Sequence, residues 1–194
     1  MDMNEPFINF LLEHRNILPE DRVLIATSFT KQKLKPGEWL IQPGKVVKHL
    51  YFINKGILKI IVPHPHDQNV VYFFIKEHQF MTFLYSLYGN VPAEQGLQVA
   101  CTSEILSISA GNLIQLYSKL PYLKGLIDGI AQLSMAEMIT TKNAYLTGGA
   151  LEKYQKFIRT QPTIAEKVPL RDVASYLGIT PQSLSRIRRA NAMM

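Results

Sequence analysis

The sequence predicts an α+β protein: an antiparallel β sandwich or barrel with flanking helices, then a long helix, then a C-terminal helix-turn-helix. Three observations carry this. Short β-branched and aromatic runs with turns every 8–12 residues occupy about residues 30–108. An apolar stripe at spacings of three and four follows over residues 113–145. Residues 169–189 then fit two short helices joined by a tight turn.

Composition is compatible with this class and excludes several others. The 194 residues are 47% hydrophobic and 19% charged, enough apolar material for a real core, so wholesale disorder is excluded. The run Val70-Val71-Tyr72-Phe73-Phe74-Ile75 falls far short of the roughly 18 residues that span a bilayer. No charged start with an apolar stretch and small-residue cleavage site opens the chain, so a cytoplasmic protein without membrane contact is expected. The single cysteine, Cys101, cannot form an internal disulfide, nor by itself hold a structural zinc or an iron–sulfur cluster.

In order along the chain, residues 4–29 read as helical. Phe7, Phe10 and Leu11, then Val23, Leu24 and Ile25 after Pro19, recur at helical intervals. Pro36-Gly37 and Pro43-Gly44 are turns around a short strand, Trp39-Leu40-Ile41. Strands at 49–53 and 57–62 flank the turn Asn54-Lys55-Gly56, and a loop with Pro63, Pro65 and Asp67 leads to the strand at 70–75. Residues 99–108 read as a last strand pair. Leu116, Leu120, Leu123, Leu126, Ile127, Ile130 and Leu133 then lie on one broad helical stripe. Pro121 suits a start or kink in that stripe, and Gly125 and Gly129 permit close approach of another backbone. Gly148-Gly149 breaks the pattern as a hinge.

Charge is uneven. Of the net +6, residues 151–194 hold +5, from eight basic and three acidic residues. A basic segment at one end is the electrostatic footprint of a polyanion-binding module.

Residues 169–189 are the most specific signal. Pro169 opens a helix whose inward positions are Leu170, Val173, Ala174 and Leu177, and Gly178 suits the left-handed position that ends it. Thr180 is a good N-cap, Pro181 a good first residue, and Leu184 and Ile187 turn the second helix inward. Ala174 provides the small residue needed where the two helices cross. The outward face is then Gln182, Ser183, Ser185, Arg186 and Arg189, types that hydrogen-bond base edges or phosphates. A plain helical hairpin shares the apolar spacing but does not predict that face. Gln182, Ser185 and Arg186 are expected at base edges, and Arg171, Arg188 and Arg189 near phosphates.

The whole chain resembles the Crp/Fnr family of bacterial transcription regulators. Lys35-Pro-Gly-Glu-Trp-Leu-Ile-Gln-Pro-Gly44 and Leu50-Tyr-Phe-Ile-Asn-Lys-Gly56 look like the opening hairpins of its cyclic-nucleotide-binding β-roll, a jelly roll. The stripe at 113–145 looks like its dimerisation helix, and residues 168–189 are similar to its helix-turn-helix. The resemblance implies a sensor roll over 1–112, a dimerisation helix and hinge over 113–147, and a DNA-binding domain over 148–194. It implies a homodimer on a two-fold-symmetric double-stranded DNA site, with RNA polymerase and a small-molecule effector as further partners.

Two departures matter. Cyclic-nucleotide binders of this family use a cassette beginning Gly-Glu and ending Arg-Ser or Arg-Thr, the Glu for the ribose hydroxyl and the Arg for the phosphate. Here those pairs fall at His78-Gln79 and near Ala93-Glu94, and no arginine lies between Arg22 and Arg159. Lys76 is the available cationic substitute. Little or no cyclic-AMP binding is expected. The family also continues into a β-hairpin wing, whereas this sequence stops five residues after Arg189, so the DNA-binding domain is expected winged or wing-truncated.

Other residues have plainer readings. His64 and His66, with Asp67 beside them and His49 and His78 elsewhere, fit an exposed turn better than a metal site. Cys101 fits a buried small side chain better than a redox sensor. Phe73, Phe74, Phe80, Phe83, Tyr85 and Tyr88 fit core packing, which is compatible with lining an apolar ligand pocket. Phe74, His78, Gln79, Phe80, Ala93 and Glu94 are therefore the candidate pocket residues. Glu137 and Asp128 read as surface or interface charges. Nucleotide-phosphate loops, metalloprotease and nucleophile-elbow motifs are missing, so neither an enzyme nor a cofactor is expected. The alternative is a small-molecule-binding or protein-interaction module on the same roll, without sequence-specific DNA binding. A cyclic-nucleotide receptor with an unusual cassette is a third reading.

Overall fold

The computed structural model describes residues 4–64 and 69–191. Two helices, α1 (Glu5–His14) and α2 (Pro19–Ser28), open the chain, each with a proline in its first turn, where a missing N–H costs nothing. The Asn4 side-chain amide donates to the Ala26 carbonyl at 2.6 Å, tying the start of α1 to α2. Among the described residues eight strands follow: β1 (Thr30–Leu34), β2 (Trp39–Ile41), β3 (His49–Lys55), β4 (Leu58–Val62), β5 (Val70–Ile75), β6 (Phe80–Met81), β7 (Gly96–Val99) and β8 (Ser103–Ser109). A short helix, α3 (Leu84–Gly89), lies between β6 and β7.

All strand pairs are antiparallel, in two sheets ordered β1-β8-β3-β6 and β2-β7-β4-β5. The strands expected as a pair at 99–108 are β7 and β8, and they belong to different sheets. Residues 100–102 carry the chain across the sandwich, with the Ala100 N–H donating to the Ile57 carbonyl at 2.9 Å. The Gly56 turn likewise joins β3 of one sheet to β4 of the other. It needs glycine twice over: φ is +101°, and a Cβ there would meet Ser103 Oγ at 2.2 Å.

The apolar residues separate into three buried clusters. Between the sheets lie Ile53, Leu58, Ile60, Phe73, Ile75, Leu97 and Ile105. Behind the first sheet, α1 brings Phe7, Phe10 and Leu11, and α2 brings Ile25 and Ala26, against Phe52, Phe80, Leu106 and the helices that follow β8. These are α4 (Ala110–Lys119), capped by Ser109 Oγ accepting the Asn112 N–H, and α5 (Pro121–Asn143). The apolar stripe at 113–145 is thus two helices, broken at Leu120 because Pro121 has no N–H to continue the ladder. α5 buries Leu123, Ile127 and Ile130 on the roll and leaves Leu133 72% exposed.

Beyond Gly148-Gly149 come α6 (Ala150–Thr160), α7 (Pro162–Lys167), α8 (Leu170–Leu177) and α9 (Pro181–Asn191). The first two are not foreseen by the sequence reading. Phe157 of α6 and Ile164 of α7 join Val173, Ala174, Leu177 and Leu184 in the third cluster, which continues into Val71 and Phe74 of β5. The C-terminal helices and the roll therefore share apolar packing. Among the described residues, no helix is long and apolar enough to cross a membrane.

Candidate functional site

α8 and α9 meet as the sequence spacing requires. Ala174 and Val173 are buried at their contact, with Leu184 of α9 against them, while Leu170 and Ile187 are half-buried. Gly178 ends α8 with φ +65°, and the Ile179 N–H closes back on the Ala174 carbonyl at 3.0 Å. Thr180 caps α9: its hydroxyl oxygen accepts the Ser183 N–H at 3.1 Å and lies 2.9 Å from Ser183 Oγ. Thr180 and Ser183 thus satisfy each other locally. Gln182, Arg186, Arg188 and Arg189 are exposed, and Ser183 and Ser185 are half-buried. Arg171 projects from the first turn of α8 with its side chain 80% exposed, its Nε 3.8 Å from Asp172.

The opposite side of α8 is docked on the roll, and the sequence reading misses its residues. Lys59 on β4 and Phe74 on β5 are cross-strand partners on the outer face of the second sheet. Lys59 Nζ donates to Asp172 Oδ2 at 2.6 Å, with the two side chains only 7% and 10% exposed. One turn further along α8, Ser175 Oγ accepts the Val71 N–H at 2.9 Å, and the Tyr176 ring packs on Phe74 at 5.0 Å. Lys142, in the last turn of α5, donates to the Tyr176 carbonyl at 2.5 Å and lies 4.2 Å from the Tyr176 ring centroid. Burial, helped by Lys153, pushes the Lys142 ammonium down to about 8, and burial pushes the Tyr176 phenol up to about 12. The available signal was the unbroken apolar run of β5: a strand apolar on both faces has both faces covered.

The candidate pocket residues are not brought together. Phe74 points outward, because Phe73 and Ile75 take the inward positions of β5, and it belongs to the α8 contact. His78 sits at φ +65°, stacked on Phe10 at 4.9 Å. Gln79 is buried, its Oε1 accepting the Lys76 N–H at 2.9 Å. Ala93 is buried by backbone bonds to Gly44 and Lys45, whereas the Glu94 side chain is exposed. Gln79 and Phe80 border a cavity of about 570 Å³ between β6, α3, α4 and α5, and Ala93 and Glu94 do not. Of the other aromatics, Phe83 is in the inter-sheet core and Tyr85 is exposed, its hydroxyl accepting the Glu94 N–H at 3.0 Å.

Cys101 is half-buried beside the third cluster. His64 is exposed, and His66 and Asp67 lie outside the described residues. Among the described residues, no group of three histidine, cysteine or carboxylate side chains is placed to hold a metal ion. Asp128 pairs with Lys124, and Glu137 with Lys76 at 2.6 Å, all on the surface of the roll and α5.

An eight-stranded antiparallel roll with helices behind it and a helical C-terminus defines a class. Residues 31–119 match the family model of the cyclic nucleotide-binding domain. Solved structures share the fold over most of their length. CLP, a c-di-GMP responsive global regulator of Xanthomonas campestris, is 14% identical over 89% of this chain and 91% of its own, with a TM-score of 0.68. FixK2 of Bradyrhizobium japonicum is 11% identical over 85% of each chain, with a TM-score of 0.69. The catabolite activator protein of Thermus thermophilus is 16% identical over 95% of this chain and 87% of its own, with a TM-score of 0.54. At these identities the likeness is one of fold. No curated protein sequence matches the chain.

The buried pair makes a direct prediction. Lys59→Met or Asp172→Ala alone leaves an uncompensated buried charge and is expected to lower stability by about 3–5 kcal/mol, whereas Lys59→Met with Asp172→Leu is expected to be near neutral. Urea unfolding of the three variants checks this.

Lys142 makes a second. Below pH ~8 it is protonated folded and unfolded alike, and the folded chain carries the cost of burying it. From pH ~8 upward the folded chain sheds the proton while the unfolded chain holds it to about 10.4, so stability rises with pH. The raised phenols of Tyr122 and Tyr176 act in the opposite sense, but only above about pH 10. Thermal unfolding between pH 7.5 and 9.5 should show the rise, and Lys142→Met should flatten it.

Proposed function

We propose that this chain is a DNA-binding transcription regulator of the Crp/Fnr type. α8 and α9 form its helix-turn-helix, and it binds a two-fold-symmetric double-stranded site as a homodimer through residues 113–145. The observation that carries the reading is the exposed α9 face. Gln182, Arg186, Arg188 and Arg189 stand in solvent on a helix whose other side is anchored by Leu184, at the end of the chain that holds nearly all the net positive charge. Gln182, Ser185 and Arg186 are assigned to base edges and Arg171, Arg188 and Arg189 to phosphates, with Thr180 and Ser183 shaping the helix start. Structural neighbours that include a global regulator and a catabolite activator protein support the regulator class.

Residues 1–112 are the sensor, residues 113–147 the dimerisation helix and hinge, and residues 148–194 the DNA-binding domain. The exposed Leu133, Met135 and Ile139 on α5 support self-association there. The sensor is assigned as unresponsive to cyclic AMP: the resemblance aligns the neighbourhood of Ala93 and Glu94 with the phosphate-binding end of the cassette, and Glu94 there brings a negative charge. RNA polymerase is the further partner that a regulator of this type engages, and no enzymatic step is assigned.

Fluorescence anisotropy of a labelled duplex from the gene's upstream region, over a salt series and with or without cyclic AMP, tests this. Saturable binding that weakens with salt and ignores the nucleotide is expected. Arg186→Ala should weaken specific binding by about 1–3 kcal/mol. Salt-independent or missing binding favours the interaction-module reading, and binding that appears only with cyclic AMP overturns the reading of the sensor.

A further inference from the structure

We propose that the cavity between β6, α3, α4 and α5 binds a neutral, largely apolar small molecule carrying one hydrogen-bond acceptor. This rests on the sensor reading of the roll and names the class of ligand for it.

The cavity has about 570 Å³, within the range of small-molecule sites. Its floor is Leu50, Phe80, Leu113 and Ile127, all buried members of the cluster behind the first sheet. Its walls are Leu84, Leu87, Met135 and Met138, and the two methionines make that wall adaptable to a ligand's shape. Polar groups are few. Thr82 is committed to the His49 carbonyl at 3.0 Å, and Lys124 and Asp128 neutralise each other.

Two donors remain. Gln79 is buried, and its Oε1 accepts the Lys76 N–H, which leaves the amide nitrogen without a partner among the described residues. That nitrogen is not among the enclosed orphan atoms of the described residues, which are Asn4 Oδ1 and Asn54 Oδ1, so it is not sealed off, and the Gln79 side chain borders this cavity and two smaller ones. The Tyr117 hydroxyl makes no hydrogen bond among the described residues, and burial with Asp128 and Tyr88 nearby raises its pKa, so it stays an O–H donor. Donors without a lining arginine suit a neutral acceptor and give a cyclic phosphate no counter-charge.

A second copy of the chain does not account for this space. Leu133 and Gly129 lie on the side of α5 that does not line the cavity, while Met135 and Ile139 stand at its exposed rim, so a partner helix packed on α5 borders the mouth and leaves the buried floor unfilled. The floor residues also lie below the surface that a helix would touch.

The test uses the full chain without DNA, so its failure and the failure of the DNA-binding reading are separate results. The probe is 1-N-phenylnaphthylamine, a neutral dye that fluoresces in apolar sites, with decan-1-ol and cyclic AMP as competitors. Expected are saturable binding at one site per chain, displacement by decan-1-ol and no displacement by cyclic AMP. Ala131→Trp, which fills the cavity from α5, should weaken dye binding by about tenfold or more, and Met135→Trp, at a half-exposed position, provides the same test without disturbing the core. Tyr117→Phe should weaken decan-1-ol by about fivefold, the equivalent of one hydrogen bond, with the dye unaffected. The proposal is overturned by the lack of saturable binding, by displacement with cyclic AMP, or by unchanged binding in a folded Met135→Trp. Dye binding lost in step with self-association, followed by sedimentation, assigns the space to a second copy and overturns it as well.

Discussion

Lys59 occupies a position where a charge has two outcomes. It lies between Leu58 and Ile60 on β4, pointing away from the inter-sheet core, where water would normally meet it. Here α8 covers that face, and the ammonium is out of solvent with Asp172 as its counter-ion. A buried pair of this kind adds little net stability, because desolvation offsets attraction, but it tolerates few alternative placements. Asp172 against Lys59 fixes the rotation and height of α8. Three and four residues on, Ser175 then meets the Val71 N–H and Tyr176 meets Phe74. Since α9 is locked to α8 through Gly178, Leu184 and the Thr180 cap, the orientation of its arginine face relative to the roll follows from the same contact.

The sequence made the roll legible where local chemistry dominates. Pro36-Gly37, Pro43-Gly44 and Asn54-Lys55-Gly56 bound strands close to where the spacing puts them, and residues 169–189 resolve as two helices turning at Gly178. What periodicity cannot carry is which strand pairs with which. β7 and β8 look like a hairpin because three residues separate them, yet each finds its neighbours in a different sheet. β6, with two residues, and α3, with six, are too short to show a period at all. α6 has an apolar stripe, but Phe157 is its one fully buried side chain, and the surrounding Lys153, Lys156 and Arg159 read as a solvated basic face.

The candidate site was legible on one side only. The outward face of α9 follows from helical geometry once Leu184 and Ile187 are known to point inward, and Gln182, Arg186 and Arg189 are exposed as that geometry requires, with Ser183 and Ser185 half-buried. The docked face of α8 was hidden because Asp172 and Tyr176 are buried by a partner more than 100 residues away in the chain. Nothing local distinguishes a buried aspartate in a first turn from a solvated one that favours the helix dipole. The face that Phe74 takes was not legible for a related reason: six consecutive apolar residues on β5 do not say which face the inter-sheet core, and the extra residue Tyr72, where Ile60 and Ile61 pair with Phe73 and Val71, shifts the register.

These contacts place the cavity and the C-terminal helices on one rigid element. Met138 and Ile139 of α5 border the cavity, and Lys142, one turn later, donates to the Tyr176 carbonyl and stacks on its ring. The distance along α5 between these groups is about 5 Å. A helix transmits displacement over one turn with little loss, since its backbone bonds are intact and α5 continues to Asn143 without a break. A shift of Met138 therefore cannot leave Lys142 where it is without bending α5 or breaking the Tyr176 contact. The ion pair responds to the same motion, because Asp172 and Tyr176 lie one turn apart on α8. Because the buried pair tolerates few placements, such a displacement either carries α8 with it or breaks the pair, so the position of α8 is a choice that both surfaces can bias.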